Sequence, residues 1–353
     1  MKTTIFILTI LFFITCKKPP EEKTNYDFSN YGVFVVNEGN FTYGNASLSF
    51  IDFEKDTIYN QVFYNATTYP LGDVAQSITL WNNLAFVVIN NSGKIYVINS
   101  ITAEYIGTIK NLSSPRFVEI ISDNKAYVSD LYSNTIAIVN PLTFEITGSI
   151  NIGTPTETIT KWHNFVFVTN WNKGNKIFKI NTQTDNVDTS IVVNYQPNSL
   201  VIDKNNKLWV LCDGGMDVDT SKNDFPALIC INPNNMQIEK NIEFSNKLES
   251  PTHLNINSTL DTLYYLNSSW NQNISNGGVF KMSIIEEQLP NNAFIAENNR
   301  LFYSFGVGKK DEIIISDAVD FAQEGSVFLY SKSGNQIKTF KAGIIPGYFM
   351  FNE

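Results

Sequence analysis

The stretch Asn82–Ser122, NNLAFVVINNSGKIYVINSITAEYIGTIKNLSSPRFVEIIS, decides the fold. It holds four short apolar runs: Leu84–Ile89, Ile95–Ile98, Ile106–Ile109 and Phe117–Ile121. Between them stand Asn-Asn-Ser-Gly, a polar break containing Thr102, and Ser113-Ser114-Pro115. Runs this short, rich in Val, Ile, Tyr and Phe and bounded by Gly, Asn, Ser and Pro, are the pattern of antiparallel strands joined by tight turns. The unit then repeats almost position for position. DNKAYVSDLYSNTIAIVNPLTFEITGSINIGTPTETITKW occupies 123–162, and HNFVFVTNWNKGNKIFKINTQTDNVDTSIVVNYQPNSLVIDK occupies 163–204.

A period of roughly 40–50 residues with four strands per unit predicts an all-β, seven-bladed β-propeller with four antiparallel strands per blade. The count comes from the proline that precedes the fourth run of each unit: Pro70, Pro115, Pro155, Pro197, Pro251 and Pro346. These stand one period apart except for the last interval, which spans two, so one blade has lost its proline near Asn298–Arg300. The chain ends complement each other. The run Val33–Val36 has no proline-led strand before it, and Tyr348–Phe351 is a proline-led strand with nothing after it. The C-terminal strand is therefore expected to close the ring by pairing with the N-terminal strands, which removes an exposed sheet edge.

The propeller is assigned to residues 31–353. Residues 1–15 read as an export leader: Lys2 is followed by the apolar Ile5–Ile14, too short to span a bilayer. Cys16, directly after it, resembles the acylated cysteine of bacterial lipoproteins. Residues 16–30 then read as a lipidated flexible tether, opening Lys17-Lys18-Pro19-Pro20-Glu21-Glu22. The acidic pair resembles the surface-export signals of Bacteroidota lipoproteins, which implies an outer-membrane protein facing outward and touching the membrane only through its lipid.

The 353 residues are 43% apolar and 17% charged, with a net charge of -9 and no Lys/Arg stripe, which argues against nucleic acid as a partner. Besides Cys16 there are two cysteines, Cys212 and Cys230. In the repeat register they face opposite sides of one sheet, so they are expected to be buried free thiols.

Loops between second and third strands share a rim with the connectors entering the next inner strand, and that rim surrounds the channel. These loops differ most between units and carry large rings at their tips: Phe41, Tyr43, Tyr132, Trp171, Trp270 and Phe321. Solvent-facing tips have no folding need for such rings, whereas recognition surfaces use them. The positions opening the inner strands add a polar set: Asp73, Arg116, Glu157, Asn198, His253, Arg300 and Tyr348. Of these, all but Glu157 join the rings as candidate ligand-binding residues, the arginines suiting an anion. Only two histidines occur, His163 and His253, and neither a phosphate loop nor a nucleophile elbow is present. The segment Asp217-x-Asp219-x-Ser221-x-Asn223 is similar to a calcium loop but has Lys222 where glycine belongs. No metal, cofactor or catalytic residue is therefore expected.

VVNEGNFTYGNASLSFIDF, PLGDVAQSI, VVINNSGKIYVIN and SSPRFVEI together resemble the YncE-like, DUF5074-related surface lipoproteins of Bacteroidota, with Asn37-Glu38-Gly39-Asn40 the most distinctive piece. The resemblance implies a non-enzymatic, monomeric surface protein. It would bind a small-molecule nutrient, cobalamin or another corrinoid, and pass it to a TonB-dependent receptor. Two alternatives stand beside it: a propeller enzyme of lactonase or lyase type with a metal in the channel, and a surface adhesin.

Overall fold

The computed structural model describes residues 23–215, 220–268 and 277–352. Seven four-stranded antiparallel sheets are arranged as blades. Their inner strands are Pro346–Asn352, Ala75–Trp81, Pro115–Ser122, Ile159–Trp162, Pro197–Ile202, Thr252–Ile256 and Phe302–Val307. Each touches the next in that cyclic order, and the last touches the first. The blade without a proline begins after Asn298 and Asn299, both at positive φ, in a turn closed by the Arg300 N–H on the Glu297 carbonyl. Asparagine tolerates that backbone better than most residues, so the turn forms here without a proline.

The first blade is assembled from both chain ends. Its outer three strands are Gly32–Asn37, Ser47–Asp52 and Thr57–Tyr59, and its inner strand is Pro346–Asn352. The register places Val33 opposite Phe351, Phe34 opposite Met350 and Val35 opposite Phe349.

The second strand of each blade is wedged between two neighbouring sheets, which is why those runs are apolar on both faces. Val33–Val36 and Ala85–Ile89 are wholly buried, whereas the outer strand Asn186–Val192 is mostly exposed. Seven apolar clusters result, one at each junction between neighbouring blades. Each fully buried Val, Leu, Ile or Phe contributes about 1.5–3 kcal/mol, so the junctions, rather than the loops, hold the ring together. Cys212 and Cys230 are buried in two different junctions, on opposite faces of the fifth blade.

On the lower rim the turns between third and fourth strands share one device. Asp52, Asn99, Asn140 and Asn181 each end a third strand and accept two backbone N–H groups of the following turn on Oδ1. Such side chains mimic a backbone turn at little steric cost. This rim is built for closure of the blades.

Two features depart from the repeat. A short helix, Val62–Thr67, follows the three-residue outer strand of the first blade and fills the seam left there with Val62, Phe63 and Ala66. Residues 24–30, read from the sequence as part of the flexible tether, are instead docked on that seam. Phe28 is 1% exposed among Phe34, Phe50 and Tyr59, and its N–H bonds the Ile101 carbonyl of the lower rim. Burial of Phe28 and the Thr24 N–H bond to the Asn65 carbonyl act against the ordering cost of this segment. The leader and Cys16 lie outside the described residues.

Candidate functional site

The upper rim is where second-to-third loops and inner-strand connectors bond to one another. The Leu131 N–H meets the Ser114 carbonyl, Asn90 Nδ2 meets Ser114 Oγ at 2.7 Å, and the Asp213 N–H meets the Gln196 carbonyl. Inside this collar the first residues of the inner strands surround a cavity of about 700 Å³. That size suits a small-molecule ligand.

Six residues expected to bind ligand come together in its wall: Arg116, Trp171, Asn198, His253, Phe321 and Tyr348. Arg116 makes a fork on Glu157, with Nε 2.9 and 2.8 Å from the two carboxylate oxygens and a terminal nitrogen 2.6 Å from one of them. Trp171 donates its indole N–H to Asp213 at 2.7 Å. Asn198 donates to the Pro251 carbonyl at 2.8 Å and also bonds Asp213. His253 shares Nδ1 with Thr252 Oγ1 at 2.9 Å, and burial pushes its ring down to about 4. Tyr348 meets Phe117 edge to face at 5.9 Å, and burial, with Glu119 nearby, pushes its hydroxyl up to about 12.

The remaining candidates lie elsewhere. Arg300 turns outward: its guanidinium sits over Phe328 and donates to Tyr330 at 2.9 Å and Gln336 at 3.0 Å. The turn that opens its blade gives the channel to Leu301, Phe302 and Tyr303 instead. Asp73 holds the first loop by accepting the Thr42 N–H on both oxygens at 3.0 Å, with Asn91 as a further donor. Phe41, Tyr43 and Tyr132 stand on the rim in solvent, 67%, 78% and 72% exposed. Trp270 lies outside the described residues, as do Asp217 and Asp219 of the acidic loop. The two arginines thus do not form an anion site, one being paired and the other pointing away.

Besides Glu157, the wall holds Glu38, Asp213 and Tyr303, none of them among the expected ligand-binding residues. Glu38, from Asn37-Glu38-Gly39-Asn40, takes the Tyr303 hydroxyl at 2.9 Å. It lies so close to Gly347 that a Cβ there would fall 2.1 Å from Oε1. Burial pushes its carboxyl up to about 7, against the opposing pull of the Tyr303 bond and Arg116. Asp213 is pushed up to about 6 by burial despite bonds from Trp171, the Gly215 N–H and Asn198. Tyr303, held far above the ordinary phenol range by burial and by Glu38, packs edge to face with Phe321 at 5.6 Å. The motif Asn37–Asn40 was the one available signal for this wall. Deeper in the channel, burial also pushes Glu119 up to about 7, opposed by Lys161. Among the described residues, no group of three or more His, Cys, Asp or Glu is placed to hold a metal ion.

These features define a closed seven-bladed propeller opening upward into an acidic, ring-lined cavity. The chain belongs to the family described as a domain of unknown function, DUF5074, whose model matches residues 31–351. No curated protein matches in sequence. Among solved structures, the chain is similar to a quinonprotein alcohol dehydrogenase-like protein of Bacteroides thetaiotaomicron. Identity is 14% and the TM-score 0.70, over 93% of this chain and 79% of that one. A candidate 6-phosphogluconolactonase of Bacteroides fragilis is 10% identical, with a TM-score of 0.64 over 92% and 98% of the two chains. A Lactobacillus plantarum protein is also 10% identical, with a TM-score of 0.66 over 94% and 100%. At such identities the likeness is one of fold.

Proposed function

We propose that this is a non-enzymatic surface lipoprotein, anchored through Cys16, that captures a small-molecule nutrient and passes it to a TonB-dependent outer-membrane transporter. A corrinoid is the proposed cargo, following the family resemblance carried by Asn37–Asn40. One observation carries the binding reading: a preformed cavity of about 700 Å³ walled by Trp171, Tyr303, Phe321 and Tyr348 among amides and carboxylates. A preformed wall avoids the ordering cost of a flexible site. Rings and amides suit a large, amide-rich, partly apolar ligand, with Phe41, Tyr43 and Tyr132 available above the mouth. Isothermal titration with cyanocobalamin, cobinamide and haem tests it. Saturable binding of the first two is expected, and heat from neither would remove the corrinoid. One observation favours a propeller enzyme instead: Glu38, near neutrality beside Tyr303, has the properties of a proton-transfer group. Chemical change of the bound ligand during the titration would decide for that reading.

A further inference from the structure

Resting on the reading of this cavity as the binding site, we propose that it selects a ligand bearing a positive charge, seated against the second carboxylate oxygen of Glu38 beside the Tyr303–Phe321 rings, and turns anions away. The charged lining consists of three carboxylates, Glu38, Glu157 and Asp213, against a single guanidinium, Arg116. Arg116 is already committed. It is bound through two nitrogens to Glu157, and the two side chains are only 14% and 8% exposed. An anion recruiting Arg116 would leave Glu157 as an unpaired, largely buried charge, which is strongly unfavourable. His253 adds no countercharge near neutral pH, because burial keeps its ring neutral.

The remaining carboxylates differ in what they already hold. Asp213 receives the Trp171 indole N–H on one oxygen and the Gly215 N–H on the other. Among the described residues, Tyr303 is the one side chain donating to the Glu38 carboxylate. A cation at Glu38 supplies the countercharge that burial withholds. Tyr303 and Phe321, edge to face at 5.6 Å, supply aromatic surface beside it, and an aromatic face draws a cation electrostatically. The wall is braced: Asn40 of the same loop donates to the Phe321 carbonyl, and the Glu38 N–H bonds the Ile345 carbonyl.

Rhodamine 6G, a cation, and fluorescein, an anion on the same xanthene skeleton, are the probes. Fluorescence anisotropy on the purified protein at pH 8 is expected to show the cation binding about tenfold or more tightly, the scale of one added polar interaction. Glu38→Gln is expected to reduce rhodamine affinity by about the same factor. Glu104→Gln, on an exposed lower-rim turn, leaves it unchanged. A thermal melt on each variant confirms folding. Equal or tighter binding of fluorescein, binding of neither dye, or no effect of Glu38→Gln would overturn the proposal. So would an equal loss in Glu104→Gln, which would mean that the overall negative charge alone attracts the dye. The corrinoid titration separates the two readings. Charge selection without corrinoid binding removes only the proposed cargo, and corrinoid binding with no dye preference removes only this inference.

Discussion

The Glu38 carboxyl shows how much one residue's surroundings decide. Its pKa rises from 4.5 to about 7 because burial penalises the charge more than Tyr303 and Arg116 relieve it. The folded protein thus keeps a proton that the unfolded chain releases. The stability this contributes is complete below about pH 4.5 and disappears as pH rises through about 7. Asp213 acts in the same direction: its contribution is complete below about pH 3.8 and lost as pH rises through about 6. His253 acts oppositely: lowered to about 4, it contributes stability above about 6.5 that is lost as pH falls through about 4. Glu38→Gln removes the titrating group while keeping an oxygen for Tyr303. The variant is expected to be more stable than the parent at pH 8, by about 3 kcal/mol, and so to melt higher, with the difference fading toward pH 4.5. Thermal melts across that range check this, and parallel curves would contradict it. The residue scale is also where sequence reading was weakest. Arg116 and Arg300 both open inner strands, yet one faces the channel and the other lies over Phe328. Spacing locates a strand's start but not the direction of a side chain in the turn before it.

At the scale of the element, the repeat was legible because each strand type has its own burial. Second strands are apolar on both faces, and lower-rim turns follow an Asn or Asp that accepts backbone N–H groups. The helix Val62–Thr67 was not legible, since six residues carry too little periodicity and its role is to fill a seam beside an outer strand only three residues long. The docked segment with Phe28 was hidden for the same reason: its partners come from the Phe34, Phe50 and Tyr59 cluster across the fold. The strand Pro346–Asn352 covers the edge of Gly32–Asn37 and places Phe349 in the junction with the seventh blade. A chain ended at Ile344 would leave that edge and Val33, Val35 and Ile314 uncovered. It is expected to bind an apolar dye and lose its sharp thermal transition. A melt unchanged from the full chain would show that this strand is dispensable.

At the scale of the molecule, seven junctions each join two blades, so opening one loosens its neighbours. Cys212 and Cys230 report on two successive junctions from one sheet. In a chain lacking Cys16, both thiols are expected to resist alkylation in buffer and to react together over the denaturant range where tryptophan fluorescence changes. Intact mass would then rise by two alkyl groups. Reaction of either thiol in native buffer would contradict the buried placement.

The amino-acid sequence by itself determined the blade count, the strand order and the rim that carries the rings. Those follow from periodic apolar runs and from turn residues, which act on their immediate neighbours. Only the tertiary structure decided the cavity's chemistry. Glu38, Glu157, Asp213 and Tyr303 come from four different blades, and their charge states depend on burial and partners that no local pattern encodes. Electrostatics in a low-dielectric cavity is a property of the assembled ring.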